Sequence, residues 1–144
     1  MIVRQAQAGD LLAMLAVERE GMSPPWSEGQ LESELCHPAS RVFIAELDGS
    51  CAGYIAFRVS FPEAEMLRLV VSPVQRHKGV GGNLMRSGLH TLAESGLTVC
   101  FLEVRQSNEV ARALYRRFGF IRIGKRPGYY RDPREEAVVM QCDM

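Results

Sequence analysis

The sequence predicts a mixed α/β fold, an α+β arrangement in which one sheet is faced by helices, and three observations lead there. Asp48-Gly49 stands between two apolar runs, the signal of a β-hairpin in the first half of the chain. In the second half, apolar strands alternate with helical stretches. Each of those helices carries its apolar residues on one stripe, so each has a face to bury against a sheet.

In chain order, Ile2–Gln5 reads as a short strand and Asp10–Glu20 as a helix with Leu11, Leu12, Leu15 and Met14 turned inward. The loop Gly21-Met22-Ser23-Pro24-Pro25-Trp26 leads to a second helix. Ser27 with Gln30 three residues on has the spacing of a capping box, and Pro38 stops the helix. Arg41–Leu47 and Ala52–Ser60 are the hairpin strands, and Met66–Val71 is a third, ended by Ser72-Pro73. Gly79–Ser95 is a helix with Leu84, Met85, Leu89 and Leu92 on one side and Gly96 as its C-terminal cap. Thr98–Val104 is an apolar strand. Asn108–Phe118 is a helix with Ala111, Leu114, Tyr115 and Phe118 on one stripe, and Phe120–Lys125 and Glu136–Cys142 are closing strands.

At 144 residues the chain suits one domain over 1–144, with room for a core without staples. A formal net charge of zero names no partner, but the charge is uneven. Residues 1–65 carry four Lys/Arg against ten Asp/Glu, and residues 66–134 carry thirteen against four. An anionic ligand on one part and a cationic partner on the other would fit that split, as would solvated helix faces that differ. Cys36, Cys51, Cys100 and Cys142 form no CxxC, no metal spacing and no disulfide framework. The N-terminal MIVRQAQAGD lacks a signal-peptide apolar stretch, and no run approaches a membrane span. The expectation is a cytoplasmic chain with reduced thiols, no metal, no membrane contact and no direct nucleic-acid binding.

The strand ending at Val71 runs into Arg76-His77-Lys78-Gly79-Val80-Gly81-Gly82, which opens a helix. A helix N-terminus offers unpaired N–H groups and partial positive charge, and glycine lets an anion approach the backbone. Three cations add to this, so the segment reads as an anion site. It is neither a Walker loop nor the GxGxxG dinucleotide fingerprint. A tight turn that needs glycine for geometry is the competing reading.

Val99-Cys100-Phe101-Leu102-Glu103-Val104 reads as a strand buried on both faces, with Glu103 inside it. A buried carboxylate has either a task, such as general base, or a cationic neighbour such as Arg105, Arg68 or Arg58. Asn108 is either a helix N-cap or a ligand amide. Tyr115 lies two turns on from Asn108 and is either functional or a core aromatic.

These pieces come in a familiar order: Val71-Ser72-Pro73, Arg76-x-x-Gly79-x-Gly81, Leu102-Glu103-Val104-Arg105, Asn108, Ala113-Leu114-Tyr115 and Phe118-Gly119-Phe120. Together they resemble the GCN5-related N-acetyltransferase (GNAT) superfamily over nearly the whole chain. Within it, Pro25-Trp26-Ser27-Glu28, Leu102–Arg105 and Tyr129-Tyr130 followed by Glu135-Glu136-Ala137 and Met140 resemble the ribosomal-protein-alanine N-acetyltransferases, the RimI type. The resemblance implies a mixed sheet splayed open at a bulge near Leu69–Val71. The backbone of Leu69, Val70 and Val71 would bind the pantetheine arm and acetyl carbonyl of acetyl-coenzyme A. The pyrophosphate would rest on the amides of His77, Lys78, Gly79, Val80, Gly81 and Gly82, with Arg76 at the loop's head and Asn108 also touching the coenzyme. Glu103 would accept a proton and Tyr115 donate one. Gly82 stands where many relatives carry a larger, often basic residue. Arg68 is a bulky cation where relatives often have a small polar one, which could narrow or recharge the acceptor entrance.

The implied reaction is direct acetyl transfer to a protein N-terminal α-amine, with the N-terminal alanine of a small-subunit ribosomal protein as acceptor and no acyl-enzyme. Cys100 lies on the strand face opposite Glu103, a poor place for a nucleophile. An ordinary thiol pKa of about 8.5 against about 10 for tyrosine makes proton transfer from Tyr115 mildly uphill. Glu28, Glu32 and Glu34 would form an acidic rim drawing a basic peptide. Trp26, Tyr129 and Tyr130 would line its path. The alternatives are a small-molecule amine or a lysine as acceptor, or an acyl-coenzyme A sensor without catalysis; Glu103 and Tyr115 weigh against the last.

Overall fold

The computed structural model describes residues 1–144. Seven strands form one sheet in the order β1-β2-β3-β4-β5-β7-β6. They are β1 (Ile2–Gln5), β2 (Ser40–Leu47), β3 (Ser50–Ser60), β4 (Glu63–Val71), β5 (Val99–Arg105), β6 (Ile121–Tyr130) and β7 (Glu135–Asp143). The helices are α1 (Leu11–Gly21), α2 (Glu28–Cys36), α3 (Val80–Glu94) and α4 (Glu109–Arg117). Every neighbouring pair is antiparallel except β4 and β5, which run parallel and are joined by the α3 crossover. No helix is long and apolar enough to cross a membrane.

The alternation of side chains across the strands builds two cores, one on each face of the sheet. Phe43, Ala45, Ile55 and Phe57 meet Leu84, Met85 and Leu92 of α3 and Tyr115 of α4. Val42, Ile44, Tyr54 and Ala56 meet Met14, Leu15 and Val17 of α1 and Leu31 of α2. The Asp48-Gly49 turn closes the hairpin with both residues at positive φ, 53° and 78°. The Ser27–Gln30 capping box is present, with Ser27 Oγ accepting from the Gln30 N–H at 3.1 Å and Gln30 Oε1 from the Ser27 N–H at 2.8 Å.

Four local expectations are corrected. Leu12 is 72% exposed, because on α1 the core stripe runs through Leu11, Met14, Leu15 and Glu18 and residue 12 lies off it. β4 begins at Glu63, with exposed Glu63 and Glu65 alternating with buried Ala64 and Met66. β5 is fully buried on one face only: Cys100, Leu102 and Val104 face the α3 core, and the other side is half-exposed. β6 continues to Tyr130, because Ile123 and the residues from Pro127 to Tyr129 loop out of its ladder with β7. Proline has no N–H to give that ladder.

Candidate active site

The parallel ladder between β4 and β5 stops at Met66 opposite Leu102. Beyond it β4 stays paired with β3, where Ala56 opposes Arg68 and Phe57 opposes Met66, so Leu67 is an extra, bulged residue. The bulge bends β4 away from β5, and the sheet opens into a fork flanked by Arg68–Val71 and Glu103–Arg105. The bulge stands at Leu67, two residues before the expected Leu69. A one-residue slip also exchanges the faces of all later side chains. Ala64 and Met66 point to the α3 core, whereas Val70 points to the α1–α2 core and Leu69 and Val71 pack toward α3. The Ser72 N–H donates to Ala52 O at 2.8 Å, and antiparallel alternation then turns the backbone groups of Val70 toward β3 and those of Leu69 and Val71 toward the fork.

At the end of β4 the chain enters the glycine loop. His77 and Gly79 both have positive φ, 65° and 80°, and Gly79 stands at the N-cap of α3. No backbone or side-chain acceptor is bonded to the N–H groups from His77 to Gly82; the first such bond is Asn83 N–H to Gly79 O at 3.0 Å. Arg76, His77 and Lys78 are exposed around these free donors. A Cβ on Gly81 would meet Leu114 at 3.3 Å, so this glycine sets the approach of α3 to α4, whereas one on Gly82 would meet nothing within 4 Å. Free donors, dipole and cations fit a phosphate ester. Asn108 caps α4, its Oδ1 accepting from the Ala111 N–H at 3.1 Å, which leaves its amide N–H groups for other partners.

Glu103 stands one residue past the last β4–β5 pair. Its neighbours Leu102 and Val104 face α3, so its side chain projects to the α1–α2 side. Oε1 forms an ion pair with Arg126 Nε of β6 at 3.0 Å; Oε2 is buried and has no hydrogen-bond partner. The three partners expected from sequence are committed elsewhere: Arg105 to Glu135, Arg68 to Glu18 and Arg58 to Glu34. Tyr129 and Tyr130 lie edge to face with centroids 5.0 Å apart. The Glu103 carboxylate is the first cause raising the Tyr129 phenol above its ordinary value. Burial, with Glu103 next, pushes Tyr130 up to about 12. Tyr130 is held by Arg105, whose guanidinium lies 4.5 Å from its ring centre and donates to Pro133 O and Arg131 O at 3.0 Å. Tyr115 projects from α4 on the other face of the sheet, 7% exposed, with its ring against Phe120. Burial first, then Tyr130, raises its phenol well above the ordinary tyrosine value. Proton transfer from Tyr115 to a thiolate is therefore steeper than the ordinary values imply, and the phenol stays a hydrogen-bond donor at every working pH.

Near the same end of the sheet stands a second carboxylate that the sequence reading passed over. Glu18 of α1 is fully buried. It accepts from the Tyr54 hydroxyl, from the Trp26 N–H at 2.8 Å and from Arg68 Nη2 at 2.6 Å and Nε at 3.3 Å. Burial acts to raise its pKa, but these donors outweigh it and hold Glu18 below the ordinary glutamate range. The Arg68 guanidinium lies 4.5 Å from the Trp26 ring centre. The signal was available: Glu18 sits at i+4 from Met14 and i+3 from Leu15, on the core stripe. Arg126 had no signal in the sequence, because its approach to Glu103 depends on the irregular β6–β7 register. On α2, Glu28 and Glu32 are exposed, but Glu34 is buried and bonded to Arg58 and Ser40, so it is not part of an acidic rim.

Residues 11–120 match the acetyltransferase (GNAT) family model. The [ribosomal protein bS18]-alanine N-acetyltransferase of Haemophilus influenzae is 31% identical over 98% of this chain and 97% of its own length. The N-alpha-acetyltransferase RimI of Mycobacterium tuberculosis is 35% identical over 83% of this chain and 76% of its own. The crystal structure of the ribosomal-protein-S18-alanine N-acetyltransferase from Escherichia coli superposes with a TM-score of 0.94, at 29% identity, over 99% of this chain and 92% of that one. Family enzymes take their acetyl group from acetyl-coenzyme A. With the family model covering most of its length and these relatives nearly all of it, the chain belongs to the acetyltransferase (GNAT) family.

Proposed function

We infer that this chain, acting as one catalytic domain over residues 1–144, acetylates the N-terminal α-amine of a protein. Its acceptor is the N-terminal alanine of ribosomal protein bS18, the substrate its relatives are named for. The observation that supports this chemistry is the buried Glu103 Oε2 without a hydrogen-bond partner, one residue past the last β4–β5 pair, with Tyr115 buried on the opposite face of the sheet.

Acetyl-coenzyme A supplies an acetyl thioester. The amides from His77 to Gly82, with Arg76 beside them, hold its pyrophosphate, the backbone of Leu69 and Val71 aligns the pantetheine arm, and Asn108 offers a further contact. An α-amine has a pKa of about 7.7–8.0, so roughly a tenth of the acceptor is already neutral near pH 7 and Glu103 has the remainder to deprotonate. Its free Oε2 takes that proton directly or through one water. The backbone N–H of Val71 faces the carbonyl on which negative charge develops. Tyr115, kept protonated by burial, donates to the departing sulfur from the other face. Trp26, Tyr129 and Tyr130 line the peptide path, and Glu28 and Glu32 provide the acidic rim.

A thiol-release assay tests this, with acetyl-coenzyme A and peptides beginning Ala-Arg, Ser, Met or Lys beside spermidine and an aminoglycoside. Marked preference for the alanine-first peptide is expected. Turnover of a small amine alone would keep the family chemistry and refute the acceptor.

A further inference from the structure

We propose that Glu18 and Arg68 are positioning residues that pin the Trp26 ring as one wall of the acceptor entrance and so, given an N-terminal amine as acceptor, set the size limit on the acceptor's first side chain. Met22 and Trp26 of the loop between α1 and α2 rest against the α1–α2 core, but packing alone does not fix the orientation of the Trp26 ring, and the loop has few polar ties. Pro24 and Pro25 lack an N–H, and from Ser23 to Trp26 the loop's hydrogen bonds go only to this pair: Trp26 N–H to Glu18 Oε2 at 2.8 Å and Pro24 O from Arg68 Nη2 at 3.3 Å. The same guanidinium lies over the Trp26 ring at 4.5 Å. One fork-shaped cation therefore fixes the loop through a carbonyl, a ring and, by way of Glu18, an amide.

The placing follows from the bulge. Without the extra Leu67, residue 68 would face α3; with it, Arg68 faces α1 beside the open end of the sheet, on the side to which Glu103 projects. A buried ion pair is weak support for a fold, since an apolar pair of similar volume serves as well. Here each donor residue of Glu18 comes from a different segment: Trp26 from the loop, Tyr54 from β3 and Arg68 from β4. Glu18 neutralises Arg68, so the assembly discriminates by shape rather than by charge. Small first residues fit against a fixed indole, and large ones require it to move.

Trp26 is the one tryptophan in the chain, so its fluorescence reports the pin without any turnover. In Arg68→Ala, acrylamide quenching of Trp26 should rise. Discrimination between otherwise identical alanine-first and methionine-first peptides should fall about tenfold, the scale of a pocket's size selection. The acceptor KM should rise while the acetyl-coenzyme A KM stays unchanged. Arg68→Lys keeps the charge against Glu18 but loses the fork, and it carries the same expectation at smaller size should the alanine variant not fold. Unchanged quenching with intact discrimination would overturn the proposal, as would a matching rise in both KM values. Failure of the wild-type protein to acetylate any peptide would refute the N-terminal acceptor instead, and the quenching comparison would still decide whether the pin exists.

Discussion

Gly53 allows a sharp test of how the fork is built. It lies on β3 opposite Val71, and a Cβ there would stand 2.5 Å from Val70 O, 3.2 Å from Val71 Cα and 3.2 Å from Val80 Cγ1. Carbon–oxygen contacts settle at roughly 3.3 Å or more, so Gly53→Ala must drive the β4 backbone or the start of α3 away by roughly 1 Å. Overpacking of this kind costs about 1–3 kcal/mol, a fall of roughly 3–10 °C in melting temperature for a chain of this size. Both displaced groups, the Val71 backbone and the first turn of α3, belong to the proposed coenzyme cradle. A misplacement of about 1 Å costs on the order of 10²-fold in rate, and here it should appear in kcat and in the acetyl-coenzyme A KM together. The assays are thermal melting and steady-state thiol release. A Gly53→Ala protein with wild-type melting and wild-type kcat/KM would refute the claim that close β3–β4 approach places the fork backbone.

Gly82→Ala is the opposite case for stability: its Cβ meets no protein atom within 4 Å, so the helix start should gain up to about 1 kcal/mol by thermal melting. Reversing Glu28 and Glu32 to lysine should raise the KM of a basic acceptor peptide at low salt and much less at high salt; equal KM values at low salt would remove the acidic rim. Stability should fall in acid. Burial acts upward on Glu34, but Arg58 and Ser40 hold it below the ordinary range, as the donors to Glu18 do there. The unfolded chain therefore takes up protons first, and this stability is complete above about pH 5 and lost as pH drops through the depressed folded values. Glu34→Gln should melt lower at pH 7 and show a shallower acid limb in melts from pH 7 to pH 3.

Much of this architecture was legible from local chemistry. The Ser27–Gln30 box, the Asp48-Gly49 turn and the Asn108 cap each involve residues a few positions apart, and the structure has all three. The glycine loop that opens α3 was legible for the same reason, since glycine at a strand-to-helix junction is a local signal. What escaped were partnerships across the fold. The partner of Glu103 depends on how residues 127–129 leave the β6 ladder, and that of Glu34 on the β2–β3 register. The bulge at Leu67 leaves no mark in an apolar run, yet it decides which way Arg68 points and which backbone groups of residues 69–71 face the fork. Glu34 looked like a member of an acidic face because α2 is short and carries an acid at most turns; its burial follows from Arg58 reaching it from β3.

The central claim is that the free oxygen of Glu103 takes the proton of the acceptor amine. The most direct measurement is kcat/KM of Glu103→Gln and wild type on the alanine-first peptide from pH 6 to 9. Loss of the base should lower activity by about 10²–10⁴-fold near neutrality. The deficit should narrow as pH passes the amine pKa of about 8, with the acetyl-coenzyme A KM unchanged. Full activity of Glu103→Gln across that range would contradict the account.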